Sequence, residues 1–291
     1  MTIIWSGLTD GALYALVAMG FNLVLTSSAV LNFAQGALVM LGTFIAYWAL
    51  VTLKVPIVLA VILGISAGFL MGCVTELVAI RPLSRGRRWI GTSTELITTV
   101  AVATALSGMA AVIWGTQPLA VPFPGENSIS FLGGEVAPVS LALIGLAIAF
   151  GVAIHLWYRH TLTGLACLAS AEDRVAAALR GIRVRRLSLG SFGAAGALAG
   201  IVGLLAAPVT YSFYSLGDTL ALSGFVALAL GGLGSQLGCL IGGFLTGVVG
   251  ALSARYIGGN YQDIATFVLL LLALGIRPGG LIKTQLSTRN V

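Results

Sequence analysis

The chain has 291 residues, 58% of them hydrophobic and only 8% charged, with a formal net charge of +6 and a mean hydropathy of +1.04. Soluble domains carry about a quarter charged residues, so this chain lacks the side chains to build a water-facing surface. That excludes a soluble enzyme or a nucleic-acid-binding domain and predicts an all-α, polytopic integral membrane protein.

A crossing takes roughly 20 apolar residues. The first window, 3–25, follows MTIIWSGLTDG, which has no basic n-region and reads as a retained span and not a cleaved signal. Asp10 falls inside it. The second, 28–50, is interrupted by SSAVLNFAQGALVML, with Ser27, Ser28, Asn32 and Gln35 inside an apolar run. Amides at membrane depth are costly unless paired or wet. Two readings stay open: a polar turn between two spans near the headgroups, or a broken helix whose freed groups line a substrate path. On the second reading Asn32, Phe33, Gln35 and Gly36 are the candidate translocation residues. If 28–50 is a re-entrant pair of half-helices, the N-terminus moves from outside to inside.

Further windows cover 56–80, 93–114, 137–158, 188–208 and 262–277, with an apolar stretch at 219–254 interrupted by GGLGSQLG. That stretch is two short spans or one broken helix, giving about eight to nine transmembrane helices in one transmembrane domain, 1–291. Gly64, Gly68 and Gly72 recur every fourth residue, as do Gly196 and Gly200, Gly238 and Gly242, and Gly243 and Gly247. Small-xxx-small spacing brings helix backbones close, and the expectation is packing within the chain. His155, beside Trp157 and Tyr158, has an interface-anchor composition. Glu76 and Glu95 flank a basic loop, where they are expected to meet arginines. Cys73, Cys167 and Cys239 form no disulfide framework or metal spacing.

Basic residues set the orientation. Arg81, Arg85, Arg87 and Arg88 share one loop. Arg159, Arg174, Arg180, Arg183, Arg185 and Arg186 share another, and Arg277, Lys283 and Arg289 lie near the C-terminus. The positive-inside rule assigns all three regions to the cytoplasm. GTQPLAVPFPGENSISFLGGE, with Glu126 and Glu135 and no base, suits the outside, as does PVTYSFYSLGD at 208–218.

Between two spans lies SAEDRVAAALRGIRVRR, charged and helix-like. Ser170 is expected as N-cap with Asp173 at the capping-box spacing. Glu172 and Asp173 at the start, and Arg180 at the end, suit the helix dipole. Gly181 suits a left-handed stop. Val175, Ala178, Leu179 and Ile182 make a narrow apolar stripe. Such a helix docks into a groove on a soluble partner or lies on lipid headgroups; two acids and a stripe of small residues suit the first better.

No phosphate loop, HExxH or GxSxG occurs, and GGLGSQLG is no dinucleotide fingerprint. A chain of buried acids of the proton-pump kind is missing too. No catalytic residue, cofactor or metal is expected, and any energy for transport comes from elsewhere.

AEDRVAAALRGIRVRR resembles the cytoplasmic loop of the branched-chain amino acid importer permeases of the ATP-binding-cassette type, the LivH group. GLTDGALYALVAMGFNLVLTSSAVLNFAQGALVMLG, AIRPLSRG, FVALALGGLGSQLGCLIGG and YIGGNYQDIATFVLLLLALGIRPGGL are similar to the same family, so the resemblance spans nearly the whole chain. Gln35 departs from the histidine that many relatives carry. The resemblance implies a permease of the bacterial inner membrane that moves branched-chain or other hydrophobic amino acids inward. It also implies a second homologous permease, two cytoplasmic ATPases and a periplasmic binding protein. The loop 169–187 is then the coupling element, with Ser170, Glu172, Asp173, Arg174, Val175, Ala178, Leu179, Gly181 and Ile182 at the ATPase contact. Importers of urea, amides and other amino acids share the fold. A secondary transporter would need buried coupling charges, and an intramembrane enzyme a nucleophile to partner His155.

Overall fold

The computed structural model describes residues 2–82, 92–122, 129–131, 134–277 and 279–282. Arg85, Arg87, Arg88, Glu126, Lys283 and Arg289 lie outside them, as does the side chain of Glu135. The architecture is helical: α1 (Thr2–Ser28), α2 (Ala34–Tyr47, continued by a π turn Trp48–Thr52), α3 (Ile57–Thr75, continued by a π turn Glu76–Ile80), α4 (Thr92–Trp114), α5 (Pro138–His160), α6 (Leu162–Glu172), α7 (Arg174–Leu179), α8 (Val184–Thr210), α9 (Leu216–Gly231), α10 (Gln236–Tyr256) and α11 (Gln262–Ile276). A three-residue hairpin, β1 (Ile129–Phe131) with β2 (Gly134–Val136), interrupts them between α4 and α5. Among the described residues seven helices are long and apolar enough to cross a bilayer, while α6, α9 and α11 are shorter. The stretch 219–254 is therefore two helices, α9 and α10, broken at Gly232–Ser235.

The chain divides into two compact units, each drawn from separate stretches of sequence. One unit holds Met1–Asn22, Pro122–His155 and Leu222–Val291. In it α10 runs against α1 with no room for side chains: a Cβ on Gly11 would stand 2.8 Å from the Phe244 Cα, and one on Gly7 2.9 Å from the Val248 Cα. From the other side, Gly243 and Gly247 abut Ala15 and Gly11. The α9–α10 turn needs left-handed backbone at Gly232 (φ 102) and Gly234 (φ 90), which only glycine adopts freely. Ser235 Oγ then caps α10 by accepting from the Gly238 amide at 3.0 Å, and Asn22 Oδ1 accepts from the Gly234 amide at 2.8 Å.

The other unit holds Leu23–Val121 and Leu156–Ala221. Here α8 is the centre, packed on α2 and α3, with α4 against α2. The expected close packing within the chain is present, and two of the glycine stripes face one another: Gly64 meets Gly200, and Gly68 meets Gly196. Ala46, Ala49, Ala60, Val121, Leu204 and Ala207 form a core of small side chains, and Phe44 stacks on Trp114 with ring centroids 4.8 Å apart.

Candidate functional site

The polar break between α1 and α2 lies in the second unit, at Ala29–Phe33. Ser27 and Ser28 return their hydroxyls to the Val24 carbonyl at 3.0 and 2.8 Å, so both are satisfied within α1. Ala29 then takes φ 55, rare for a residue with a Cβ, and the helix stops. Within the turn Ala29 is exposed and Leu31 and Phe33 are half-buried, while its amide is enclosed. Val30 is 1% exposed, and Asn32 and Gln35 are 0% exposed.

Neighbouring helices supply the partners this turn needs. The Phe33 amide donates to Thr99 Oγ1 on α4 at 3.3 Å, and Asn32 Oδ1 accepts from the Ala34 amide, the first of α2, at 3.2 Å. Gln35 Nε2 donates to the Ala195 carbonyl of α8 at 3.0 Å. Asn32 Nδ2 and Gln35 Oε1 are left without a hydrogen-bond partner among the described residues. Each such orphan costs about 1–3 kcal/mol. One is a donor and the other an acceptor. Gly36 is fixed by contact alone: its Cβ would strike the Gly217 carbonyl and the Ala221 amide of α9. Sequence reasoning reached these four residues but missed Thr99 and the Ala195 carbonyl, because a bent backbone borrows partners from segments that only the tertiary fold brings near.

The charged segment differs from expectation in one respect. It is not a single helix capped by Ser170. Ser170 is wholly buried inside α6, where its hydroxyl donates to the Ala166 carbonyl at 2.8 Å. The cap of α6 is Thr161, whose Oγ1 accepts from the Gly164 amide at 3.0 Å. The chain breaks at Asp173 (φ −152, ψ 105), and Asp173 itself caps the six-residue α7 by accepting from the Val175 and Ala176 amides at 2.9 and 3.0 Å. Asp173 outcompetes Ser170 because a carboxylate accepts two amides at once and favours the positive end of the helix. Gly181, at φ 87, ends α7, and the Ile182 amide reaches back to the Ala177 carbonyl at 3.1 Å.

The stripe is mostly open. Val175 is 61% and Leu179 85% exposed; Glu172, Ala178 and Gly181 are also exposed, and Ile182 is half-buried. Ala177, on the opposite side of α7, is buried, and α6 and α7 both contact α8. Arg174, at the start of α7, lies in the electrostatic field of two acids: Glu76 at the end of α3, which also feels Arg81 and Arg185, and Glu95 on α4. Glu76 and Glu95 thus each have arginine charge in their surroundings, and α7 packs on α6 and α8. In α6 the buried Cys167 thiol is pushed up by burial, partly offset by a hydrogen bond with Ser191. His155 is half-buried, and no group of three or more metal-binding side chains occurs among the described residues.

A multi-pass helical protein with unpaired amides buried at a helix break, and a capped helix held out from its most basic region, belongs to the class of membrane transport proteins. Residues 3–274 match the family described as "Branched-chain amino acid transport system / permease component", and the chain belongs to that family. It is similar to the high-affinity branched-chain amino acid transport system permease protein LivH of Escherichia coli (strain K12), 29% identical over 96% of this chain and 94% of the relative. BraD of Pseudomonas aeruginosa, with the same description, is 30% identical over 95% and 94%. The ribose import permease protein RbsC of Escherichia coli (strain K12) is 27% identical over 89% of this chain and 80% of its own. The chain is thus the permease component of a transport system.

Proposed function

We propose that this chain is a membrane subunit of an ATP-driven importer that passes branched-chain and other aliphatic amino acids into the cytoplasm of a bacterium. ATP is hydrolysed by two separate cytoplasmic subunits, a homologous second permease completes the membrane part, and a periplasmic protein delivers the cargo. The observation that carries this reading is α7: a preformed helix, capped at both ends, that turns Val175 and Leu179 outward beside Arg180. An apolar ridge rimmed by charge suits a groove on a soluble partner.

The packing gives the route of a push. A load on α7 passes directly to α8, against which α7 packs, and from α8 to α2 and α3. The Ala195 carbonyl on α8 holds Gln35, so a shift of α8 against α2 reshapes the polar break at Asn32, Phe33, Gln35 and Gly36. Rigid-body motion of packed helices is a recurring way to convert docking into opening.

The test is co-expression with a second permease, the ATPases and the binding protein, followed by leucine uptake into proteoliposomes. Uptake should require ATP, and Leu179→Asp should abolish co-purification of the ATPases without unfolding the permease. Uptake by this chain alone would defeat the proposal.

A further inference from the structure

Asp218 stands in the first turn of α9 with its side chain exposed, and Thr219 beside it is exposed as well. The fold fixes its depth. Gly217, its neighbour, packs on the backbone of Gly36 and Ala37. Gln35, one residue earlier, bonds to Ala195. Ala195 lies roughly 16 Å from the Val184 end of α8 and roughly 22 Å from the Thr210 end, at 1.5 Å per residue. α8 is long and apolar enough to cross the bilayer. Asp218 is therefore near the middle of the membrane, not in the outer loop to which the sequence of 208–218 points.

The chain reaches that depth by turning back. Tyr211 leaves α8 at φ 59, a strained value for a non-glycine residue, and Ser212 is pinned to Leu119 by two backbone hydrogen bonds of 2.9 Å. The segment then re-enters to start α9. No hydrogen bond or ion pair engages the Asp218 carboxylate among the described residues. A first-turn acid gains from its helix dipole, but that gain is small beside the cost of holding a bare carboxylate against lipid tails. Charges at this depth face a wet cavity or a partner charge.

We propose that Asp218 is a cation-recognition site on the transport route, facing water in the assembled transporter and receiving the ammonium group of the amino acid cargo. This rests on the amino-acid permease reading above. The exposed ring faces of Tyr211 and Tyr214 in the same segment suit a passing ammonium. The α2 amino terminus, abutting Gly217, suits the cargo carboxylate.

The experiment uses the whole reconstituted transporter. With Cys73, Cys167 and Cys239 replaced by serine, Asp218→Cys is exposed to a cationic, water-borne methanethiosulfonate and, separately, to lipid-soluble N-ethylmaleimide. The expected result is rapid reaction with the cationic reagent, slowed at least fivefold by saturating leucine with its binding protein. In parallel, Asp218→Asn should lower leucine uptake at least tenfold and Asp218→Glu should restore most of it, with co-purification of all subunits as the folding control. Reaction with N-ethylmaleimide alone would place the residue against lipid and overturn the proposal. No reaction with either reagent, together with loss of assembly in Asp218→Asn, would assign it to a charge on the neighbouring permease and overturn it equally. Uptake that needs sodium, and loses that need in Asp218→Asn, would make the occupant an inorganic cation. A parent complex that moves no leucine sinks the cargo assignment instead, and the labelling still reads whether position 218 is wet.

Discussion

Gly196→Ala puts one methyl group where α8 meets α3. The new Cβ would fall under 3.0 Å from the Gly68 carbonyl oxygen, a separation real Cβ atoms essentially never show, and 3.0 Å from the Gly72 Cα. Both obstacles are backbone, so no side chain can swing aside, and the helices must part by roughly 1 Å to restore ordinary contact. Gly64 against Gly200 and Gly72 against Phe192 share that seam and loosen with it. Overpacking of this kind costs about 1–3 kcal/mol, and the helix propensity gained by alanine returns at most about 1 kcal/mol. Gly108→Ala and Gly145→Ala are the controls: both glycines are helical and exposed, and a Cβ on either meets nothing within 4 Å. Unfolding by SDS titration in mild detergent should show Gly196→Ala destabilised by about 1–2 kcal/mol net, with both controls equal to or above the parent. In a double-mutant cycle, Gly68→Ala should cost less in the Gly196→Ala background, because the helices have already separated. If Gly196→Ala unfolds with the controls, tight α3–α8 contact is not what these glycines provide.

Three further outcomes are expected. Asp173→Ala removes the cap of α7, worth about 1 kcal/mol, and should lower ATP-coupled uptake in the assembled transporter, whereas Asp173→Asn, which keeps the acceptor, should retain most of it; equal loss in both would shift the role from cap to charge. Gln35→Leu deletes the bond to Ala195 but also an orphaned oxygen, terms of about 1 kcal/mol and 1–3 kcal/mol that oppose one another. Thermal stability in detergent should therefore change little while uptake drops, and a large stability loss with normal uptake would make Gln35 structural. Cys167 is 1% exposed, and burial raises its thiol so that less thiolate is present at any given pH; it should resist N-ethylmaleimide at pH 7 until SDS unfolds the chain, with peptide mass spectrometry reading the site.

The helix boundaries were largely legible, because an apolar run bounded by glycine, proline or charge has few other ways to satisfy its backbone in lipid. The glycine spacing announced close packing, and Gly181 announced its left-handed stop. The capping of the charged segment was misjudged for a local reason. Ser170 and Asp173 both have cap-forming side chains, and the winner depends on α6, whose Thr161 cap lies nine residues upstream of Ser170 and was not weighed. For the region 208–218 the sequence shows only polarity, whereas the packing of Gly217 on Gly36 and Ala37, from which the depth of Asp218 is argued, belongs to the tertiary fold.

By itself the sequence determined that the chain lives in a membrane, where most of its long apolar helices fall, which regions are basic, and that a charged helical element lies among them. These follow from composition and local spacing, since water, lipid and backbone act on each segment in the same way wherever it sits. Only the tertiary structure decided that Asn32 and Gln35 are buried with atoms unpaired, that α7 turns Val175 and Leu179 outward, and that Gly217, beside Asp218, packs on Gly36 and Ala37. Those facts depend on which distant backbone lies alongside, and close helix contact, where every missing Cβ matters, is a property of pairs of segments that no single segment contains.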